Sequence, residues 1–148
     1  MWSNRFILGV LFSVLSCGSM AKDITGIWKN IDDKTGSSKA VLEVRQEANG
    51  TYTGKIIKIT PRPGYTPKET CIDCPAPYTN KPILGMDVLK NLKQTGEESY
   101  SGGKIIDPLT GKIYSMKAKL SANGNRLSLR GYIGVSALGR SQIWIREN

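Results

Sequence analysis

The chain contains no histidine at all. Imidazole is the commonest general base and the commonest metal ligand, so its absence removes serine–histidine and cysteine–histidine catalysis from consideration. Cysteine is nearly as scarce, with Cys17, Cys71 and Cys74 the whole supply. A zinc site takes four ligands, and the Cys71/Cys74 pair offers two, so neither a metal nor a cofactor is expected. Phenylalanine occurs only as Phe6 and Phe12. Long apolar runs are missing too: the stretch from Phe6 to Cys17 is about twelve residues, short of the roughly 20 that span a bilayer as a helix. Lysine and arginine are numerous, 21 against 12 acids, but they are scattered rather than clustered. That pattern makes a solvated basic surface, and nucleic acid is not expected as a partner.

What is present begins with the N-terminus, MWSNRFILGVLFSVLSCGSMAKD. One positive charge (Arg5), a short apolar stretch and the small pair Ser19 and Ala21 around Met20 form the layout of a secretory signal peptide, cleaved after Ala21. The alternative is lipoprotein processing, because Val14-Leu15-Ser16-Cys17-Gly18 resembles a lipobox that would anchor the protein through Cys17. The expected mature chain is residues 22–148, one domain, periplasmic or secreted and monomeric, with no transmembrane segment after processing. Removing Arg5 lowers the net charge from +9 to +8. A basic exported protein is drawn to anionic ligands or to an anionic envelope surface.

Export also decides the reading of Cys71-Ile-Asp-Cys74. Reactive Cys-x-x-Cys thiols sit at a helix N-terminus or beside a cation. Here Asp73 lies between the thiols, and Pro75 and Pro77 prevent a following helix. An oxidising compartment favours a structural disulfide between Cys71 and Cys74. Closing so short a loop is worth only about 2 kcal/mol. The pair lies in a segment, 60–82, that carries six of the seven prolines and shows no periodicity, which is read as a long ordered loop.

The remainder reads as strands. Thr35-Gly36, Asn49-Gly50, Asn123-Gly124 and the Asp107–Lys112 run DPLTGK are turn signals. Between them fall candidate strands at 24–32, 39–47, 51–59, 103–107, 112–121, 126–133 and 141–147. Residues 83–93 fit a short helix through Met86, Leu89 and Leu92, or a strand. Short strands with hairpin turns define an all-β fold, an antiparallel sandwich or barrel; closure into a single up-and-down barrel removes exposed edges and suits an exported monomer.

Several stretches taken in order carry a family resemblance: TGIWKN, CIDC in the proline-rich loop, ILGMDVLKNLK, GGKIIDPLTGKIY and the closing LSLRGYIGVSALGRSQIWIRE. The chain resembles the bacterial exported family called domain of unknown function 2147 across 24–147. The resemblance implies a lipocalin-like (calycin-like) barrel and no particular biochemistry. Gly26-x-Trp28 is similar to the Gly-x-Trp of lipocalins, whose tryptophan plugs the barrel base beneath an arginine from the last strand; that resemblance assigns the arginine to Arg146.

Motifs that suggest enzymes fail on context. Asp33-Lys34-Thr35-Gly36 is a hairpin turn, Ser101-Gly-Gly-Lys104 has two glycines where a helix is required, and Ser136 has no histidine to activate it. The expectation is a binding protein, not an enzyme. In one reading the barrel interior takes a small apolar or anionic amphiphilic ligand, contacted by Arg130, Tyr132, Arg140 and Trp144. In the other the barrel is filled with side chains and its outside serves as an envelope-surface or protein-interaction module. An interior cavity of several hundred Å³ separates the two.

Overall fold

The computed structural model describes residues 23–147 except 33, 34, 62 and 65, together with positions 9 and 13. The leader and the Cys17 question therefore lie outside the described residues. Eight strands run in sequence order: β1 (Gly26–Ile31), β2 (Ser38–Gln46), β3 (Tyr52–Ile59), β4 (Asp87–Gln94), β5 (Ser99–Ile106), β6 (Ile113–Leu120), β7 (Arg126–Tyr132) and β8 (Arg140–Arg146). Each pairs antiparallel with the next, and β8 returns to β1 to close the barrel. The barrel expected from the sequence is the observed fold.

Strand direction gives the barrel two unlike ends. β1 leaves the base at Gly26 and reaches the mouth at Ile31, and each later strand reverses. The base connections are 47–51, 95–98 and 121–125. The mouth carries 32–37, the long 60–86 segment, 107–112 and 133–139, the last with a short 3-10 turn at Ser136–Leu138.

The ambiguous 83–93 segment is strand from Asp87 onward, because Met86, Val88, Leu89 and Leu92 are all buried against the sheet's interior. β5 starts at Ser99, four residues earlier than the Gly102-Gly103 pair suggests. Those glycines make an irregularity within the strand rather than a turn: Gly102 has φ +76° and the β5–β6 register shifts between Tyr100 and Gly103. A Cβ on Gly103 would stand 3.0 Å from Leu92 Cδ1, so the bare backbone is what admits that leucine to the core.

Cys71 and Cys74 are joined by a disulfide, and both are buried. The stapled loop leans on the 107–112 turn. Gly111 has φ +74°, and a Cβ there would meet the Asp73 carbonyl oxygen at 2.0 Å, so this contact requires glycine. Lys68 Nζ donates to the Leu109 carbonyl at 3.3 Å, and the Lys90 ammonium lies 4.8 Å from the centre of the Tyr78 ring. These contacts hold the proline-rich segment as an ordered cover beside the mouth.

Candidate functional site

The interior changes character from base to mouth, and the sequence of each strand shows why. Alternate residues face inward. Along β1 the inward positions are Trp28 and then Asn30; along β7 they are Leu127, Leu129 and Gly131; along β8, read from the base, Trp144, Gln142 and Arg140. Large side chains fill the base, while small or polar ones leave space towards the mouth. β3 and β5 start at the base with Tyr52 and Tyr100, whose rings meet edge to face at 5.5 Å.

The base is closed by a specific assembly. The Arg146 guanidinium stacks over the Trp28 ring at 4.3 Å. Its nitrogens donate to three backbone carbonyls, Gly124 at 2.8 Å, Thr25 at 2.6 Å and Asp23 at 2.6 Å. Gly26 is needed there, since a Cβ would stand 2.8 Å from Arg146 Nη1. Trp28 is fully buried and donates its indole N–H to the Ile24 carbonyl at 2.9 Å.

Beside this plug, burial pushes the Tyr100 hydroxyl up to about 12, with the Tyr52 phenol and the Asp23 carboxylate adding to the effect. That hydroxyl has no full hydrogen-bond partner, although the Ile24 amide lies near enough to favour the phenolate slightly. An acid whose folded pKa exceeds its unfolded value stabilises the fold below the unfolded pKa and loses that contribution as pH rises. Stability should therefore fall between pH about 10 and 12, as the unfolded phenol ionises before the folded one. Chemical denaturation across this range should show the slope in the wild type and a shallower one in Tyr100→Phe. Equal slopes would mean that Tyr100 is not desolvated in solution.

Above the plug lies a cavity of about 410 Å³. Leu42, Ile56, Ile105, Met116 and Leu129 give its walls their apolar surface, and Asn30, Thr60 and Gln142 add polar surface. Ionisable groups stand towards its mouth: Lys39, Lys68, Asp107 and Arg140. Three of them have partners in the protein. Lys39 is 3.3 Å from the Asp32 carboxylate, Lys68 is 3.8 Å from Asp73, and Asp107 accepts the Leu109 amide at 2.9 Å within its own turn. The Arg140 side chain, exposed at the start of β8, has no ion pair or hydrogen bond among the described residues.

The four residues singled out from the sequence are thus not one cluster. Arg140 lines the cavity. Arg130 points outward and straps the β7–β8 connection, donating to the Ser136 carbonyl at 2.9 Å, the Ala137 carbonyl at 3.2 Å and the Ser141 hydroxyl at 2.9 Å. Tyr132 is half-buried beside Gly139, outside the cavity lining. Trp144 is buried below the cavity, its indole nitrogen without a hydrogen-bond partner. The reason lies in parity: Arg130 and Tyr132 alternate with the inward Leu129 and Gly131. The same parity from Arg140 and Trp144 could have found Gln142, and from Leu129 it could have found Gly131. The contributions of Ile83, Pro67 and Lys68 had no such signal, because they come from the aperiodic loop.

A closed eight-stranded antiparallel barrel with an open-mouthed apolar interior is a lipocalin-like β-barrel. The chain belongs to the bacterial family described as "Uncharacterized protein conserved in bacteria (DUF2147)", which matches residues 26–146. It is similar to a solved protein from the human pathogen Helicobacter pylori that belongs to the lipocalin family, with 25% identity and a TM-score of 0.70 over 85% of this chain and 84% of that one. No curated protein matches it. Among the described residues, no group of three or more Cys, Asp or Glu could hold a metal, and no helix is long and apolar enough to cross a membrane.

Proposed function

We propose that this protein is an exported carrier, not an enzyme, whose barrel takes the apolar tail of an amphiphile and presents Arg140 to its anionic head. A single observation carries the reading: a cavity of about 410 Å³ with largely apolar walls and, at its mouth, a guanidinium that has no side-chain partner among the described residues. That volume lies within the roughly 300–1,000 Å³ of small-molecule sites, and apolar lining rewards a tail at about 25 cal/mol per Å² removed from water. A carboxylate or phosphate head matches the fork of arginine through paired, charge-assisted hydrogen bonds. Export, with cleavage after Ala21 or lipidation at Cys17, is supported by the leader's layout and is compatible with the disulfide.

Titration with a long-chain carboxylate and with the alcohol of equal length tests the reading. The wild type should prefer the carboxylate. Arg140→Ala should lose about 1.5–3 kcal/mol for the carboxylate, as for a hydrogen bond to a charged group, and little for the alcohol. Equal losses for both ligands would show that Arg140 does not meet the head. Arg130→Ala, by contrast, should act on loop order, since its donors are already held by the protein.

A further inference from the structure

The barrel's outer surface is as unequal end to end as its interior. Among the described residues eight large hydrophobics are exposed, and six of them are at the mouth: Ile72, Leu84, Leu109, Ile113, Ile133 and Val135. Five of these sit in connecting segments: Leu109 at 44% exposure, and Ile72, Leu84, Ile133 and Val135 at 60%, 58%, 62% and 59%. The base connections hold nothing comparable. Residues 47–51, 95–98 and 121–125 contain no apolar residue larger than alanine, no lysine and no arginine, and they carry Glu47, Glu97 and Glu98.

Charge divides the connections in the same way, although the base ends of the strands carry the exposed cations Lys93, Lys119 and Arg126. Lys58, Lys81, Lys112 and Arg140 stand exposed at the mouth end. Most of the described acids there are engaged: Asp73 by Lys68, Asp32 by Lys39, and Asp107 in its turn. Glu69 is exposed there without an ion-pair partner among the described residues. Isolated exposed hydrophobics need no explanation, but their concentration on connections around one opening, ringed by cations, does.

We infer that the mouth is a docking surface for a lipid bilayer that carries anionic headgroups. Apolar tips on three separate connections enter the interface while the surrounding lysines meet the headgroup phosphates. The base connections, with Glu97 and Glu98 and no apolar tip, offer no such anchor. The cavity opens within this rim, with Leu109 belonging both to the exposed set and to the cavity lining. A docked barrel therefore opens toward the lipid, which gives an amphiphile a route that avoids bulk water. The docking stands on surface residues and does not depend on what the cavity holds.

Vesicle flotation of the full chain tests it, with every variant made in the same background so that any contribution from residues 1–21 is common to all. Wild type should float with phosphatidylcholine vesicles that include phosphatidylglycerol, float poorly with phosphatidylcholine alone, and be released by salt. Ile133→Ser combined with Val135→Ser should weaken partition about tenfold, as loss of two inserted side chains implies. Lys81→Glu with Lys112→Glu should abolish the preference for phosphatidylglycerol. Glu97→Gln with Glu98→Gln, at the base, should change nothing. The serine variant should still bind a fluorescent amphiphile in vesicle-free buffer, which separates this inference from the cavity reading. Undiminished flotation of the serine variant overturns the inference. So does a wild type that ignores vesicles, or one that forms a dimer through these residues and floats no better than the variant.

Discussion

Replacing Arg146 with alanine should cost the barrel about 3 kcal/mol, the largest stability loss expected at any charged residue. Each hydrogen bond to a charged group contributes about 1.5–3 kcal/mol, and Arg146 makes three, to Gly124, Thr25 and Asp23. The site is half-buried, so water recovers part of the loss, and the sum is correspondingly reduced. Stacking over Trp28 is lost as well. At this chain length the change should lower Tm by on the order of 10 °C. Arg146→Lys should restore little, because one ammonium cannot reach three carbonyls arranged around a planar fork. Urea denaturation of the two variants measures this, and a loss below about 1 kcal/mol would show that the base is held by apolar packing alone.

Filling the cavity should have the largest effect on binding. Gly131 lines the cavity on β7, lacks a positive φ, and a Cβ there would meet Tyr114 Cβ at an ordinary 3.5 Å. Gly131→Phe can therefore project its ring into the empty space without backbone strain. Amphiphile affinity should fall by about 100-fold or more, since the ring displaces the tail from apolar surface worth about 25 cal/mol per Å². Stability should hold or rise by about 0.5–1 kcal/mol, because glycine is a poor strand residue. The opposed signs make the variant informative: a general disruption would lower both quantities. Tight binding retained in Gly131→Phe would move the ligand out of the barrel.

The two ends of the molecule were not equally legible in the sequence. Turn dipeptides and period-two strands lead to an antiparallel sandwich or barrel, because register in a half-buried strand is fixed by which face is apolar, and the family resemblance selects the barrel. The proximity of Gly26, Trp28 and Arg146 was reached through family resemblance; spacing alone could not bring residue 26 to residue 146. The 103–107 expectation misses the first half of β5, because Gly102 at φ +76° breaks the period-two pattern, and the room that bare Gly103 leaves for Leu92 belongs to a bulge. The cavity was the least legible feature. It depends on side-chain size falling along several strands at once, from Trp28 to Asn30 and from Leu127 to Gly131, and on a loop whose placement only contacts such as Gly111 against Asp73 define. Arg130 and Arg140 look alike in sequence, and only the strand's facing tells the strap from the cation that lines the cavity.

The most direct test of the carrier reading is native mass spectrometry of the protein released gently from its own envelope. A carrier should appear as a population heavier by one small amphiphile per chain, lost on denaturation and restored by adding a long-chain carboxylate, on a polypeptide of residues 22–148 or one lipidated at Cys17. A bare polypeptide that takes up no carboxylate, before or after such addition, would contradict it.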